Sequence, residues 1–141
     1  MVSIGSDHAG FELKSKVIEK LNEMGIELID RGTYSEESTD YPEFAHSVAR
    51  DVSEGACSKG IVICGSANGV AMSANKHAKI RCAICWEKEL AKLARAHNDA
   101  NMLALPARFI DSKTAMEIID AFFDVSFEGG RHQRRVSKIA P

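Results

Sequence analysis

A regular alternation of short apolar runs with longer amphipathic segments constrains the fold of this chain more than any other feature of its sequence. The apolar runs have the length of buried strands, and the segments between them repeat apolar residues at helical spacing. The runs are residues 2–6, 26–32, 60–65, 80–86 and 101–107. This alternation predicts an α/β sandwich with a mostly parallel sheet of about five strands, joined by right-handed crossovers.

The helical segments have recognisable packing faces. In the first, Gly25 stands where a C-terminal cap belongs, and the apolar residues are Phe11, Leu13, Val17, Ile18 and Leu21. In the last, they are Ala115, Ile118, Ile119 and Phe122. In the segment 87–98 we expect Leu90, Leu93 and Ala94 to face inward, and His97 to continue that face.

The length and the net charge of the chain limit the functions that it can have. The chain of 141 residues fits a single domain, residues 1–141, with one sizeable core. A net charge of −2 gives no general attraction to polyanions, which argues against nucleic acid or an anionic membrane as a partner. The sequence contains neither an apolar run of about 18 residues nor a signal-peptide pattern. We therefore expect a cytoplasmic protein whose four cysteines are free thiols.

Cys82 and Cys85 form a C-x-x-C pattern, which is compatible with metal or redox chemistry. The surrounding segment, IRCAICW, reads as a buried strand, in which a spacing of three puts the two thiols on opposite sheet faces. No second C-x-x-C or nearby histidine pair completes a set of four ligands. We therefore expect two core cysteines and no metal site.

The segment after the third predicted strand is the strongest candidate for chemistry. Residues 64–69 read CGSANG, and open parallel sheets bind ligands beyond the carboxyl ends of their strands. Gly65 and Gly69 allow backbone N–H groups to point into one hollow, which suits a phosphate or an oxyanion. The glycine spacing is neither that of a P-loop nor that of a dinucleotide site. Cys64 is then either a base whose enediolate the hollow holds, or a small buried residue that ends a core strand.

Polar residues elsewhere have both a structural and a functional interpretation. Asp7 and His8 follow the first strand, either as a helix cap and a turn residue or as part of a site. His97 precedes Asn98 at a predicted helix C-terminus, either as a core histidine or as an acid–base group.

Three arginines suggest a phosphate ligand. Arg108 follows the fifth strand, whereas Arg131 and Arg135 lie four residues apart in the basic segment 129–141. Guanidinium groups bind phosphate through paired hydrogen bonds, and a spacing of four shares one face if the tail is helical. The alternative is a basic tail that is simply solvated.

Several of these stretches together resemble one family. GSDHAGFELK, STDYPEFA, VICGSANGVAMSANK, ARAHNDANMLAL and EGGRHQRRV occur in the order and spacing of the type B ribose-5-phosphate isomerases, which share a superfamily with the galactose-6-phosphate isomerase subunits. The resemblance covers about residues 2 to 138. It implies a Rossmann-like α/β/α fold, no metal or organic cofactor, and dimers or tetramers with active sites at the dimer interface. It also implies interconversion of an aldose phosphate and a ketose phosphate through a cis-enediol.

The resemblance assigns roles residue by residue. Cys64 matches the base, Ser66 the hydroxyl that assists at the reacting oxygens, and His97 the residue that opens the sugar ring. The anion hole matches Gly65, Ser66, Ala67, Asn68 and Gly69. The family positions that bind sugar hydroxyls correspond to Asp7, Tyr41 and Asn98. Those that bind the phosphate correspond to His8, Arg108, Arg131 and Arg135. The resemblance implies that two subunits contribute these residues, so that the segment 129–141 reaches a partner.

The loop also departs from the commonest family pattern. Some members lack the cysteine and use a later glutamate, but here Cys64 is present and the later position is Val70. Asn68 stands where many relatives have an aliphatic residue. The leading prediction is interconversion of ribose 5-phosphate and ribulose 5-phosphate. The alternatives are a 6-phosphohexose substrate, such as allose or galactose 6-phosphate, and a non-catalytic sugar-phosphate-binding subunit.

Overall fold

Five strands and six helices alternate along the chain in a computed structural model that describes residues 1–141. The strands are β1 (Val2–Ser6), β2 (Leu28–Asp30), β3 (Lys59–Cys64), β4 (Cys82–Ile84) and β5 (Met102–Pro106). The helices are α1 (Phe11–Glu23), α2 (Tyr41–Ser53), α3 (Asn68–Ala74), α4 (Lys88–Asn98), α5 (Ser112–Asp124) and α6 (Arg131–Val136). A single 3₁₀ turn at His8–Gly10 leads into α1.

The strands form one fully parallel sheet in the order β2-β1-β3-β5-β4. The chain builds outward from β1 to β2 and then continues on the other side with β3. The direction of winding therefore changes between β1 and β3, and such a switch point is where open α/β sheets bind ligands. This confirms the predicted α/β/α architecture and locates its crevice.

Helices cover both faces of the sheet and create two apolar cores. One core contains Ile61 and Ile63 of β3 with residues of α1, α4 and α5. The other contains Val62 and Cys64 with residues of α2 and α3. Because successive strand residues point to opposite faces, Cys64 faces the α2–α3 side. The same alternation separates Cys85, in the first core, from Cys82, which packs against the second, as the sequence predicted.

Most predicted helix faces match the buried residues: in α4, Ala94 is buried and Leu90 packs against the core, but the prediction for Leu93 was wrong. Leu93 is 46% exposed, and the buried side of α4 is formed by Ala91, Ala94 and Arg95. The small alanines pack into the core, while the Arg95 guanidinium donates to the Ala100 carbonyl at 2.6 Å and to Asp99 at 3.0 Å. A buried arginine with carbonyl and carboxylate partners is therefore part of the inward face, at a position that the apolar spacing did not include.

No helix has both the length and the apolar character needed to cross a bilayer.

Candidate active site

A cleft of about 500 Å³ opens at the carboxyl edge of the sheet, beside the switch point between β1 and β3. It is lined by Asp7, His8, Ala9, Tyr41, Cys64, Gly65, Ser66, Gly69, Arg108 and Phe109. These residues come from the ends of β1 and β3, the start of α2 and the turn after β5. The parallel sheet thus brings together eight of the residues that the sequence singled out.

Asp7 and His8 are held in fixed orientations. Asp7 is 7% exposed and its Oδ1 accepts a hydrogen bond from the Gly10 N–H at 3.1 Å, so it does cap the 3₁₀ turn. His8 and Thr39 make two hydrogen bonds: the His8 N–H donates to Thr39 Oγ1, and the Thr39 N–H donates to His8 Nδ1, both at 3.1 Å. Because Nδ1 accepts, the neutral imidazole carries its proton on Nε2, which remains available to a ligand.

The loop after β3 presents three unpaired backbone donors. The N–H groups of Gly65, Ser66 and Ala67 take part in none of the hydrogen bonds within the chain. Ala67 has the left-handed conformation, with φ of 65° and ψ of −9°. Such a local reversal turns successive N–H groups toward one concavity, which is suited to an anion. The Asn68 amide donates to Ser66 Oγ at 3.3 Å, which leaves the Ser66 proton free to point elsewhere.

Two glycines of this loop allow close approach of side chains. A Cβ on Gly69 would run into the Tyr41 ring, and a Cβ on Gly65 would lie 3.2 Å from the Arg108 side chain. The Arg108 N–H also donates to the Gly65 carbonyl at 3.0 Å. Tyr41 and Arg108 therefore pack closely against the segment that follows Cys64, and the contact with Tyr41 leaves no room for a side chain at position 69.

The remaining predicted residues form a second cluster at the amino edge. The His97 and His132 rings stack with centroids 4.1 Å apart and an interplanar angle of 9°. Glu128 lies 3.6 Å from the Nε2 atom of each histidine. Asn98 is at the same end of α4, where its carbonyl accepts from Arg81 at 3.2 Å, just before β4 begins. Arg131 and Arg135 are exposed on α6, which confirms a helical tail.

The two clusters lie at opposite ends of the sheet. In a crossover fold each helix returns antiparallel to the strands, so the end of α4 lies near the strand starts. With about 3.3 Å per residue, β3 separates the two edges by about 16 Å. One chain therefore does not bring His97, Asn98, Arg131 and Arg135 to Cys64.

Known proteins are similar to this chain in sequence and in fold. Residues 2–139 match the ribose/galactose isomerase family. This chain belongs to that family. Among curated relatives, it is 46% identical over 138 residues to ribose-5-phosphate isomerase B of Escherichia coli, covering 98% of this chain and 93% of that protein.

Solved structures of the family agree with the fold. The Clostridium thermocellum ribose-5-phosphate isomerase B has a TM-score of 0.97 at 46% identity, over 98% of this chain and 93% of that one. The Mycoplasma genitalium enzyme, solved with bound ribulose 5-phosphate, has a TM-score of 0.94 at 41% identity. That comparison covers 98% of this chain and 92% of the other.

Sequence reasoning about this family member missed several residues of the two clusters. Thr39 orients His8, and Phe109 lines the cleft beside Arg108. Glu128 and His132 complete the cluster around His97. The quoted stretches STDYPEFA and EGGRHQRRV contained Thr39 and His132, but nothing in their spacing shows which side chain they face.

Proposed function

We propose that this chain is an aldose–ketose isomerase that interconverts ribose 5-phosphate and ribulose 5-phosphate. The observation that carries the proposal is the position of the Cys64 thiol, beside three unpaired N–H groups in a cleft with His8 and Arg108. The relatives support the choice of substrate, since the similar E. coli protein is a ribose-5-phosphate isomerase B. The M. genitalium structure holds ribulose 5-phosphate.

In the proposed mechanism, Cys64 is the base that transfers the proton. Its thiolate takes the proton from carbon 2 of the open-chain aldose, and the electron pair of that C–H bond forms the double bond between carbons 1 and 2. The negative charge develops on the oxygen of carbon 1, where the N–H groups of Gly65, Ser66 and Ala67 stabilise it. The Ser66 hydroxyl assists the proton shift between the two oxygens. The thiol then returns its proton to carbon 1, which leaves a ketone at carbon 2.

The other residues of the cleft bind the substrate and position it for the reaction. His8 Nε2–H and the Arg108 guanidinium are donors for the phosphate. Asp7, Tyr41, Asn68 and Gly69 hold sugar hydroxyls and the anion. Positioning of this kind keeps carbon 2 in reach of the sulfur, which supplies a large share of the rate acceleration.

We infer that a second copy of the chain completes each site. His97, Asn98, Arg131 and Arg135 lie too far from Cys64 within one chain, so these residues reach the cleft only from a partner. An exposed apolar surface beside the cleft supports this inference, because Met72, Trp86 and Phe109 are 66%, 56% and 74% exposed. The assembly is a homodimer, alone or paired into a tetramer, in which segment 129–141 reaches across the interface.

In that assembly, His97 of the partner subunit opens the furanose ring by giving a proton to the ring oxygen. The bond from that oxygen to carbon 1 then breaks, and the hydroxyl of carbon 1 loses its proton to water and becomes the aldehyde. The partner's Asn98 binds a sugar hydroxyl, and the partner's Arg131 and Arg135 join His8 and Arg108 on the phosphate. We propose that residues 1–141 act as one domain, that the reaction needs no metal or organic cofactor, and that it takes place in the cytoplasm.

A 6-phosphohexose is the second candidate substrate. A further cavity of about 480 Å³ adjoins the cleft and shares Ser66 and Phe109 with it. Its other lining residues are Asn68, Ile84, Trp86 and Pro106. This space favours a substrate longer than a pentose phosphate if the partner subunit leaves it open.

The decisive experiment assays the purified, chelator-treated chain with ribose 5-phosphate, allose 6-phosphate and galactose 6-phosphate. We expect the highest kcat/KM for ribose 5-phosphate. Turnover of a hexose phosphate alone would change the substrate but keep the mechanism. Binding of sugar phosphates without turnover of any would replace the proposal by a non-catalytic subunit.

A further inference from the structure

The group formed by His97, Glu128 and His132 has the composition of a metal site, although the isomerase chemistry proposed above uses only His97. Their ligand atoms all lie within 4.8 Å of one another, and the structure contains no other group of three such residues. Two imidazoles and one carboxylate are ligands that Zn²⁺ accepts, with three protein ligands leaving one position open.

The spacing of the ligand atoms is close to that around a coordinated ion. Ligands of a tetrahedral Zn²⁺ at 2.0–2.1 Å from the metal are about 3.3 Å apart. Each histidine Nε2 lies 3.6 Å from a different oxygen of Glu128, a distance too long for a hydrogen bond but only slightly longer than the zinc geometry needs. The two rings are stacked and nearly parallel, and a metal–nitrogen bond lies in the plane of its imidazole. Binding of one ion by both nitrogens therefore requires the rings to rotate out of the stack, which lowers the affinity.

Backbone hydrogen bonds hold the segments that carry these three residues close together. The Glu128 N–H donates to the Ala96 carbonyl at 3.0 Å, which ties the segment after α5 to the end of α4. The His132 N–H donates to the Gly129 carbonyl at 3.1 Å, which sets the first turn of α6. His132 is nearly buried, whereas the side chains of His97 and Glu128 are 37% and 58% exposed. An ion can therefore enter from one side without unfolding the segment.

We propose that His97, Glu128 and His132 form a reversible binding site for Zn²⁺ or a similar divalent transition-metal ion. This site would inhibit the enzyme, since a bound ion occupies the His97 nitrogen that ring opening requires; this consequence rests on the proposed function. The polar contacts of His97 and His132 are made through Nε2, and neither ring has a hydrogen-bonded partner on Nδ1. Such outer partners are worth 10–100-fold in metal affinity. The nearby charges of Arg131 and Arg135 weaken binding further, so the ion exchanges and is removable.

Calorimetric titration with ZnCl₂ tests the site directly. The Cys64→Ser background removes the exchangeable thiol of the cleft as a competing ligand. We expect one Zn²⁺ per chain, and at least tenfold weaker binding after Glu128→Gln or His132→Gln. His46→Gln is the matched control, since it breaks the other histidine pair, in which Nδ1 of His46 lies 2.7 Å from Nε2 of His77. Unchanged affinity in Glu128→Gln and His132→Gln, or loss of binding in His46→Gln, would overturn the proposal.

A second measurement does not depend on any variant folding. Zn²⁺ should shift the imidazole proton resonances of His97 and His132 in the unmodified chain and leave those of His46 and His77 in place. Shifts confined to other histidines would refute the site. In activity assays Zn²⁺ should inhibit, a chelator should reverse the inhibition, and Glu128→Gln should raise the inhibition constant at least tenfold. Absence of ribose 5-phosphate turnover in the metal-free chain would refute the proposed function, while the titration and the resonances would still decide the metal site.

Discussion

Burial raises the pKa of three of the four thiols, those of Cys57, Cys82 and Cys85, and for Cys85 to about 12. These thiols stay protonated at neutral pH and act as small apolar groups. Cys64 differs in position, because β3 delivers it to the cleft between Asp7 and the unpaired donors of the following loop. The same residue type is therefore inert in the core and a candidate base at the strand end.

Replacing the Cys64 thiol should affect catalysis and substrate binding differently. For Cys64→Ala we expect kcat for ribose 5-phosphate to fall about 10²–10⁴-fold, the usual contribution of a positioned base. The dissociation constant of the sugar phosphate should change little, since the phosphate donors and the loop remain. Initial-rate kinetics and calorimetry measure the two quantities.

Cys57→Ala is the control for this variant, because Cys57 is also buried but packs in the core away from the cleft. We expect it to keep kcat while losing some thermal stability. If Cys64→Ala retained its turnover, the thiol would not be the base.

At the scale of elements, the contact between α2 and α3 determines the shape of the cleft. Gly69 lies in the first turn of α3, and Tyr41 begins α2. The Tyr41 ring occupies the space that a Cβ on Gly69 would need. Helix propensity favours alanine over glycine by about 1 kcal/mol, whereas overpacking costs about 1–3 kcal/mol. Because the cost of the close contact exceeds the gain in helix propensity, we expect glycine to give the more stable protein at position 69.

This balance predicts a reversal of sign in a double-mutant cycle. Gly69→Ala should lower the free energy of unfolding and raise KM, because the ring must move. In a Tyr41→Ala background the same substitution should stabilise the protein by up to about 1 kcal/mol, since only the helix propensity remains. Urea unfolding of the four proteins measures the coupling. Equal effects of Gly69→Ala in both backgrounds would show that the ring does not limit this position.

A hydrogen-bonded ion pair joins the end of β2 to β1 and α2. Asp51 accepts from Arg31 Nε and Nη2, both at 2.8 Å, and from Ser3 Oγ at 2.7 Å. The hydrogen bonds from Arg31 lower the pKa of Asp51 below its usual value, although burial acts in the opposite direction. The folded state therefore binds the proton less readily than the unfolded chain does.

The sign of this shift predicts how stability depends on pH. A depressed carboxyl pKa contributes stability that is fully present above the unfolded value, about 3.9, and is lost as pH falls through the folded value. The difference in unfolding free energy between the unmodified chain and Asp51→Asn should therefore shrink as pH falls below about 4. Urea unfolding from pH 7 to pH 3 measures it. Glu54→Gln, which changes an exposed carboxylate just after α2, should leave the profile unchanged, and a pH-independent difference for Asp51→Asn would contradict the assignment.

At the scale of the whole molecule, strand–helix alternation was enough to predict the fold but not all of the site. The predicted runs 26–32 and 80–86 shortened to three paired residues each, because β2 and β4 are edge strands with a single neighbour. The cleft followed from the rule that ligands bind at strand ends. The environment of His97 did not, because it depends on how the chain returns after α5 to place Glu128 and His132, and local spacing does not encode that return.

The separation of Cys64 and His97 along the sheet leads to a test of the assembly. If each site takes Cys64 from one subunit and His97 from its partner, Cys64→Ala and His97→Ala chains are each defective alone. A mixed dimer has one site with both defects and one with neither. Random re-assembly of equal amounts makes half of the dimers mixed, so about one quarter of the unmodified activity should return.

This complementation depends on which chain supplies which residue. Mixing Cys64→Ala with a Cys64→Ala/His97→Ala double variant restores no intact site and is the matched control. Refolding the mixtures from urea and measuring initial rates gives the comparison. No recovery in the first mixture, when the refolded chains are dimeric, would mean that His97 acts in some way other than at the cleft of a partner. Recovery near one quarter would mean that each active site takes Cys64 from one subunit and His97 from its partner, so that a single chain holds no complete site.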